Sequence, residues 1–505
     1  MKNLIGDIFQ MKKKIIVIGG GVAGLSAGIY AQLNGFDSTI IEKNTQVGGL
    51  CTGWYRKGYQ FDYSIQWLVG TRFGVFNDIY KETHILNEDV KVQDSSYHTT
   101  THLASGKDFT IYTNIEEWQK YLIDNAPEDE KAIRKMCKHM NLCKKLEPFE
   151  MPPSLRTPID YLKALKRSFW SLVTILRFKK MSCKEYLQKL NFKSPWIKEG
   201  LVDNYKDDKY SSIAFLLMLS WYTQKNAGYP MGGSLGVAQR MENRYNSLGG
   251  KILLRQEVKE VIVENDKAVG VELSNGERLM ADYIISCADL HFTLYNMLKG
   301  QYLSPKIKQA YKNWDIFSSI VQISIGINAT LTTDFPIQIT HFQKEIGKTK
   351  ISHSYRMINY SYDPTIVPEG KSTIAIRFNS PYEIWEKMSK EEYLEEKKKI
   401  AQLGREIIEQ HYPGFSEKIE VIDVATPLTT VRYCNIWQGA YQGFNPTRAN
   451  ISKQLGQTLP GLGKFYLAGQ WLYPGGGVPQ STQSGKWAIQ LICKEEKQKF
   501  VSQSK

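Results

Sequence analysis

No Cys-x-x-Cys pair occurs anywhere in the 505 residues. The seven cysteines, Cys51, Cys137, Cys143, Cys183, Cys287, Cys434 and Cys493, are scattered and odd in number. Such usage fits free thiols in a reducing compartment and not a disulfide framework. The eight histidines show no ligand spacing, so no metal site is expected. No Ser-His-Asp or Cys-His arrangement is present that could serve as a nucleophilic centre. No stretch reaches the roughly 18 to 20 uninterrupted apolar residues of a membrane span. No basic motif is interleaved with base-stacking aromatics, so nucleic acid is not an expected partner. The net charge of +14 and pI ≈ 9.1 remain compatible with an acidic membrane surface or with solubility alone.

What is present begins at the amino end. A hydrophobic content of 42% and this length suit two sizeable domains or one large interleaved pair. Lys12-Lys13-Lys14 followed by IIVIGGGVAGLSAGIYAQL has the outline of a secretory leader. The period changes, however, from a β-branched run to a helix containing small residues, and an acid follows, so a folded element is expected. Ile15 to Ile18 reads as a buried parallel strand. Gly19-x-Gly21-x-x-Gly24, with Val22 and Ala23 inside it, then opens a helix through Leu25, Ile29 and Leu33 that closes near Gly35. In this order Gly19 allows a tight turn, Gly21 lets backbone N–H groups approach a pyrophosphate, and Gly24 permits close helix-to-strand packing. The helix start supplies the positive dipole end an anion needs.

A second strand, Ser38 to Ile41, ends in Glu42, eighteen residues after Gly24. A carboxylate there can accept hydrogen bonds from a ribose diol and would repel a 2′-phosphate, which leaves NAD or FAD. Glu42-Lys43-Asn44 leads on to Val47-Gly48-Gly49-Leu50. A glycine pair following the ribose acid is similar to FAD enzymes and favours FAD.

VGGLCTGWYRKGYQFDYSIQWLVG, YPMGGSLGVAQRMENRYNSLGGKI, LLRQEVKEVIVENDKAVGVELSNGE, ISCAD, NYSYDPTIVPEGKSTIAI, ATPLTTVRY and PGGGVPQSTQSGK follow one another along the chain. In that order they resemble the phytoene desaturase, carotenoid desaturase and retinol saturase branch of the FAD-linked oxidoreductases. The resemblance implies an α/β fold with a Rossmann-type FAD-binding domain assembled from discontinuous segments, 1–72, 228–295 and 455–505. An inserted α+β substrate domain would comprise 73–227 and 296–454. It also implies that Tyr466-Leu467-Ala468-Gly469 returns as the final strand beside the first, with Gly469 near the pyrophosphate and ribityl chain. Gly477 and Val478 would place N–H groups under the flavin ring, Val258 would give backbone contacts to adenine, and Ala288 would sit near the diphosphate. Two positions depart from the pattern: Leu50 stands where related oxidases carry an arginine, and Gln470 where an acid is common. Arg56, Lys43 or a helix terminus could compensate.

On the substrate side, Ser211 to Trp221 suits a buried helix, and Gly228 to Ser234 returns the chain to the cofactor. Ile159 to Arg177 places Ile159, Leu162, Leu165, Phe169, Val173 and Leu176 on one helical stripe, with Lys163, Lys166, Arg167, Lys179 and Lys180 around it. A helix over 159–180 of this kind either faces an anionic bilayer or packs on its own domain. Trp67, Tyr441, Trp471 and Tyr473 are, by the resemblance, the aromatics near the flavin, each a candidate cavity wall or proton donor. The implied activity is desaturation or saturation of carbon–carbon bonds in a long apolar polyene or isoprenoid, by hydride transfer at flavin N5. The electron partner stays open among quinone, dioxygen and NAD(P)H, since no second G-x-G-x-x-G exists. The alternatives are a flavin amine oxidase and a non-enzymatic prenyl or lipid carrier of the Rab escort type. The expected location is the cytoplasm, with peripheral attachment to the inner face of a membrane left open.

Overall fold

Strand β1, Lys14–Ile18, is the β-branched run that enters the glycine turn, and helix α1, Val22–Leu33, follows it. The computed structural model describes residues 12–202, 208–332, 336–341, 348–349 and 354–503. Residues 1–11 and 504–505 of the expected cofactor segments lie outside the described residues. α1 ends where Gly35 takes φ +80°, so that the Phe36 amide reaches the Ala31 carbonyl at 3.1 Å and the Gly35 amide that of Gln32 at 3.0 Å. This left-handed cap reverses the chain directly into β2, Asp37–Ile41.

Three further strands complete the sheet: β3 (Lys251–Leu253), β4 (Tyr283–Ser286) and β5 (Phe465–Leu467). The order is β5-β4-β1-β2-β3, and every pairing is parallel. The last strand therefore lies one place away from β1 and not beside it as expected. Both strands are fully buried; the four-residue β4 takes the inner position and the three-residue β5 the edge, where short strands are safest.

Helices α2 (Gly233–Ser247) and α3 (Gly477–Glu495) pack with α1. The α1–α3 contact is close because position 485 is glycine. A Cβ there would lie 2.4 Å from the Ala23 carbonyl oxygen and 2.8 Å from the Ala27 amide. Ser26 Oγ donates to the Thr482 carbonyl at 2.7 Å across the same seam. The amino-terminal and carboxyl-terminal glycine turns are thus held side by side.

A second sheet of seven strands runs, in spatial order, Ile419–Ala425, Ile320–Ile327, Ser372–Asn379, Ser354–Asn359, Ile337–His341, Tyr97–His102 and Asp108–Tyr112. Val321, Ile323, Tyr355, Met357, Ile374 and Ile376 pack with Leu403, Ile407 and Ile408 of helix Lys390–His411. Alternation along the strands turns Gln322, Ser324, Arg356 and Arg377 to the opposite face. The run SIAFLLMLSWY forms helix Ser212–Tyr222, with the Ser211 hydroxyl accepting from the Ile213 amide at 3.2 Å.

Helix Pro158–Phe178 is opened by a Thr157–Asp160 capping box and kinked at Ser168. A strip of its hydroxyl side chains faces inward: Ser168 Oγ donates to the Lys145 carbonyl at 2.6 Å and Ser171 Oγ to that of Leu142 at 2.5 Å. Its apolar side faces out, with Leu162 64%, Trp170 65% and Leu176 64% exposed. The six-residue stripe read from the sequence is therefore not packed on the chain's own domain. Among the described residues no helix is long and apolar enough to cross a membrane.

Candidate active site

A cavity of about 360 Å³ opens where β1, β2, β4 and β5 end, lined by Ile18 and Gly19, Ile41 and Glu42, Cys287 and Ala288, and Gly469. The carboxyl ends of the strands of an open parallel sheet are where such folds bind their ligands. The turn into α1 is tight enough that a Cβ on Gly24 would stand 1.9 Å from the Gly19 carbonyl oxygen. Gly24 lies behind the cavity, while Val22 and Ala23 at the start of α1 line it. The free amides of that helix end therefore face the space.

Glu42 is buried, with Oε2 accepting from the Gly20 amide at 2.7 Å and Oε1 from the Asn44 amide at 2.9 Å and the Asn44 side chain at 2.7 Å. Oε1 thus accepts two hydrogen bonds and Oε2 one, which leaves Oε2 a lone pair for a ribose hydroxyl. The Gly48 amide donates to the Gly20 carbonyl at 2.9 Å, which docks Gly48, Gly49 and Leu50 against the turn. Lys43 Nζ donates to Asn435 Oδ1 at 2.7 Å and to the Arg432 carbonyl at 3.1 Å. Arg56 points elsewhere, paired with Asp423 at 2.9 Å, and does not line the cavity. Opposite, Gly475, Gly476 and Gly477 all have positive φ, and a Cβ on Gly476 would lie 2.3 Å from the Gln442 carbonyl oxygen. Only glycine brings the backbone through there, and α3 begins at once, again with its free amides toward the cavity.

Burial raises two carboxyls at the cavity. Asp289 is pushed up to about 7 although the Phe292 and Trp437 amides donate to it. Asp62, behind the wall, is pushed up to about 6 against the opposing pull of Ser234 and Arg377. His98, half-buried and stacked on Tyr222, is held well below its usual value by desolvation first and by the Arg356 charge second.

Of the residues singled out from the sequence, Gly19, Gly21, Val22, Ala23, Glu42, Lys43, Gly48, Gly49, Leu50, Val258, Ala288, Gly469, Gln470, Gly477 and Val478 all line this one cavity, as do Trp67, Tyr441 and Trp471. Tyr473 does not; its ring stands edge-on to Trp487 at 5.8 Å. Trp471 is locked among Tyr311, Trp437 and Phe444. Sequence reasoning missed Gln66, Gln442, Arg356 and Arg377, which also line the cavity. The only signal for the arginines was a charged residue inside the apolar strand runs SYRMIN and STIAIRFN.

A glycine turn at a helix start, a buried acid, a second glycine run at another helix start and aromatic side chains in the lining fit a flavin dinucleotide. Comparison with known proteins agrees. Residues 22–493 match the family described as flavin containing amine oxidoreductase. The chain is 26% identical over 493 residues to prolycopene isomerase 1, chloroplastic, of an Oncidium hybrid cultivar, covering 93% of this chain and 82% of that one. It is 24% identical over 512 residues to 4,4'-diapolycopen-4-al dehydrogenase of Metabacillus indicus, covering 96% and 98%. The crystal structure of an oxidoreductase from Methanosarcina mazei superposes with a TM-score of 0.58 at 18% identity, covering 95% of this chain and 99% of that one.

Proposed function

The chain belongs to the family of flavin-containing amine oxidoreductases and is an FAD-dependent oxidoreductase; from that premise we propose that it adds or removes hydrogen across carbon–carbon bonds of a long apolar polyene. The observation that carries this reading is the apolar and aromatic part of the cavity lining, Trp67, Leu68, Trp221 and Tyr441, in the same cavity as the second glycine run. Relatives named for prolycopene and diapolycopenal point to the same substrate class. FAD bound there would supply the hydride acceptor or donor at its N5.

The chain's own residues divide the work. Glu42 would hold the ribose, the α1 amides with Gly19, Gly21 and Ala288 would hold the diphosphate, and the backbone at Val258 would meet the adenine. Gly48, Gly49 and Leu50 would flank the dinucleotide, Lys43 and Gln470 would offer polar contacts, and Gly469 would leave room for the ribityl chain. Gly477 and Val478 would offer α3 amides to the flavin, where a helix start favours negative charge. Trp67 and Tyr441 align the chain and exclude water. In this reading the cofactor domain comprises 1–72, 228–295 and 455–505, and the substrate domain 73–227 and 296–454. The exposed apolar side of helix Pro158–Phe178 dips into an anionic membrane surface from which the substrate is drawn. In desaturation quinone or dioxygen would accept the two electrons from the reduced flavin, and in saturation NAD(P)H would supply them.

An amine substrate is disfavoured because Arg356 and Arg377 would repel an ammonium group inside the cavity. The test is anaerobic incubation of the FAD-loaded protein with a panel of carotenoid precursors, retinoids and amines while flavin absorbance is followed. Bleaching by a polyene, or reoxidation of reduced flavin by one, is the expected result. Bleaching by amines alone, with peroxide formed on admitting air, would overturn it.

A further inference from the structure

A buried arginine, Arg377, and a half-buried one, Arg356, in a cavity lined in part by aromatic side chains need an explanation that an all-hydrocarbon substrate does not give. Arg356 and Arg377 are direct cross-strand partners, and Gln322 continues the same row on the next strand. Like charges placed directly opposite on one sheet face destabilise the sheet. Arg377 is 8% exposed. Its Nε donates to Gln322 Oε1 at 2.7 Å and a terminal nitrogen to the Asp62 carbonyl at 3.3 Å. Arg356 donates to Gln66 Oε1 at 3.1 Å. All of these acceptors are neutral. Among the described residues neither guanidinium has a carboxylate within ion-pair distance. The Asp62 carboxylate is already engaged by the Ser234 amide, the Ser234 hydroxyl at 2.8 Å and the Ser64 amide at 3.0 Å. Asp289 accepts from the Phe292 and Trp437 amides, and Glu42 from those of Gly20 and Asn44.

We propose that Arg356 and Arg377 recognise the carboxylate end of an apolar chain, so that the substrate of this cavity is a polyene acid and not a plain hydrocarbon. The inference rests on the reading of the cavity as a polyene site and narrows its substrate class. A carboxylate presents two coplanar oxygens, which suits two guanidinium forks on adjacent strands, and it relieves the repulsion between them. Its hydrocarbon part then lies along Trp67, Leu68, Trp221 and Tyr441, which line the same cavity. A buried charge is costly when unpaired and strongly favourable to the ligand that pairs it. The arginines therefore act as specificity-determining residues.

The test uses the FAD-loaded protein and two probes of one skeleton, all-trans-retinoate and all-trans-retinol, titrated by tryptophan quenching and flavin absorbance. Wild type should bind the acid about tenfold or more tighter than the alcohol, the scale of a charge-assisted pair. Arg356→Gln should abolish that preference, with retinoate weakened by about tenfold more than retinol, while the FAD content stays at the wild-type level. Arg356→Lys, which keeps the charge and loses the fork, should restore part of it and guards against misfolding as the cause. Equal affinity for acid and alcohol in wild type overturns the proposal while leaving the polyene reading intact. So does a preference that survives in both Arg356→Gln and Arg377→Gln. Loss of FAD from Arg356→Gln with the preference kept would assign the guanidinium to the flavin. Failure of both probes to bind or perturb the flavin overturns this proposal and the polyene reading together.

Discussion

Glu42 holds the first glycine turn together before any ligand arrives, since its carboxylate ties the Gly20 amide to Asn44. Glu42→Ala should therefore act twice, removing the ribose acceptor and loosening the turn. FAD titration by flavin fluorescence should show a dissociation constant raised by roughly tenfold to a hundredfold, the range of one or two hydrogen bonds to a charged group. Glu42→Gln, which keeps one acceptor oxygen, should fall between. Unchanged FAD affinity would remove the ribose assignment. This residue was legible because strand, turn, helix and acid have a spacing that one-dimensional reading can measure. Arg356 and Arg377 were not, because an arginine on an alternating strand reads the same whether its face looks at water or into a cavity. Tyr473 illustrates the converse. It lies close in sequence to the glycine run, yet its ring turns toward Trp487.

Helix Pro158–Phe178 was equally legible as an element and illegible in its orientation. Periodicity gives the stripe and cannot say which way it points. Direction is decided by Ser168 and Ser171, whose hydroxyls find carbonyls at 145 and 142 and so bring that strip inward. A stripe in the core would make each large-to-charged change costly, whereas here the apolar residues already stand in water. Leu162→Glu with Trp170→Glu should leave thermal stability nearly unchanged, within the roughly 0.5 kcal/mol usual for surface substitutions. The same change should abolish co-sedimentation with phosphatidylserine-containing vesicles, and neutralising Lys163, Lys166 and Arg167 should weaken it in a salt-dependent way. A large loss of stability would mean the stripe is structural, and undiminished sedimentation would dismiss the membrane contact.

At the scale of the whole molecule the two ends of the chain meet, and a buried ion pair helps keep them there. Lys486 on α3 lies 2.7 Å from Glu82, with side chains 9% and 7% exposed. Tyr30 on α1 donates to the same carboxylate, and the ammonium stands 5.2 Å over the Tyr30 ring and 6.0 Å over that of Phe500. The pairing of α1 with α3 could be anticipated from two glycine turns serving one cofactor. The position of β5 beside β4 could not, because strand order depends on pairings between segments far apart in the chain, which no local pattern records. Removing one member of a buried pair strands the other charge, so Lys486→Met should cost about 3–5 kcal/mol in denaturant unfolding. The double variant Lys486→Met with Glu82→Gln should recover much of that loss, since no isolated carboxylate remains. The helix ends facing the cavity are set by this seam, so the single variant should also release FAD at lower temperature than wild type, while the double variant retains it. A single variant as stable as wild type would show that the Gly485 contact and the surrounding apolar core hold the two termini without the ion pair.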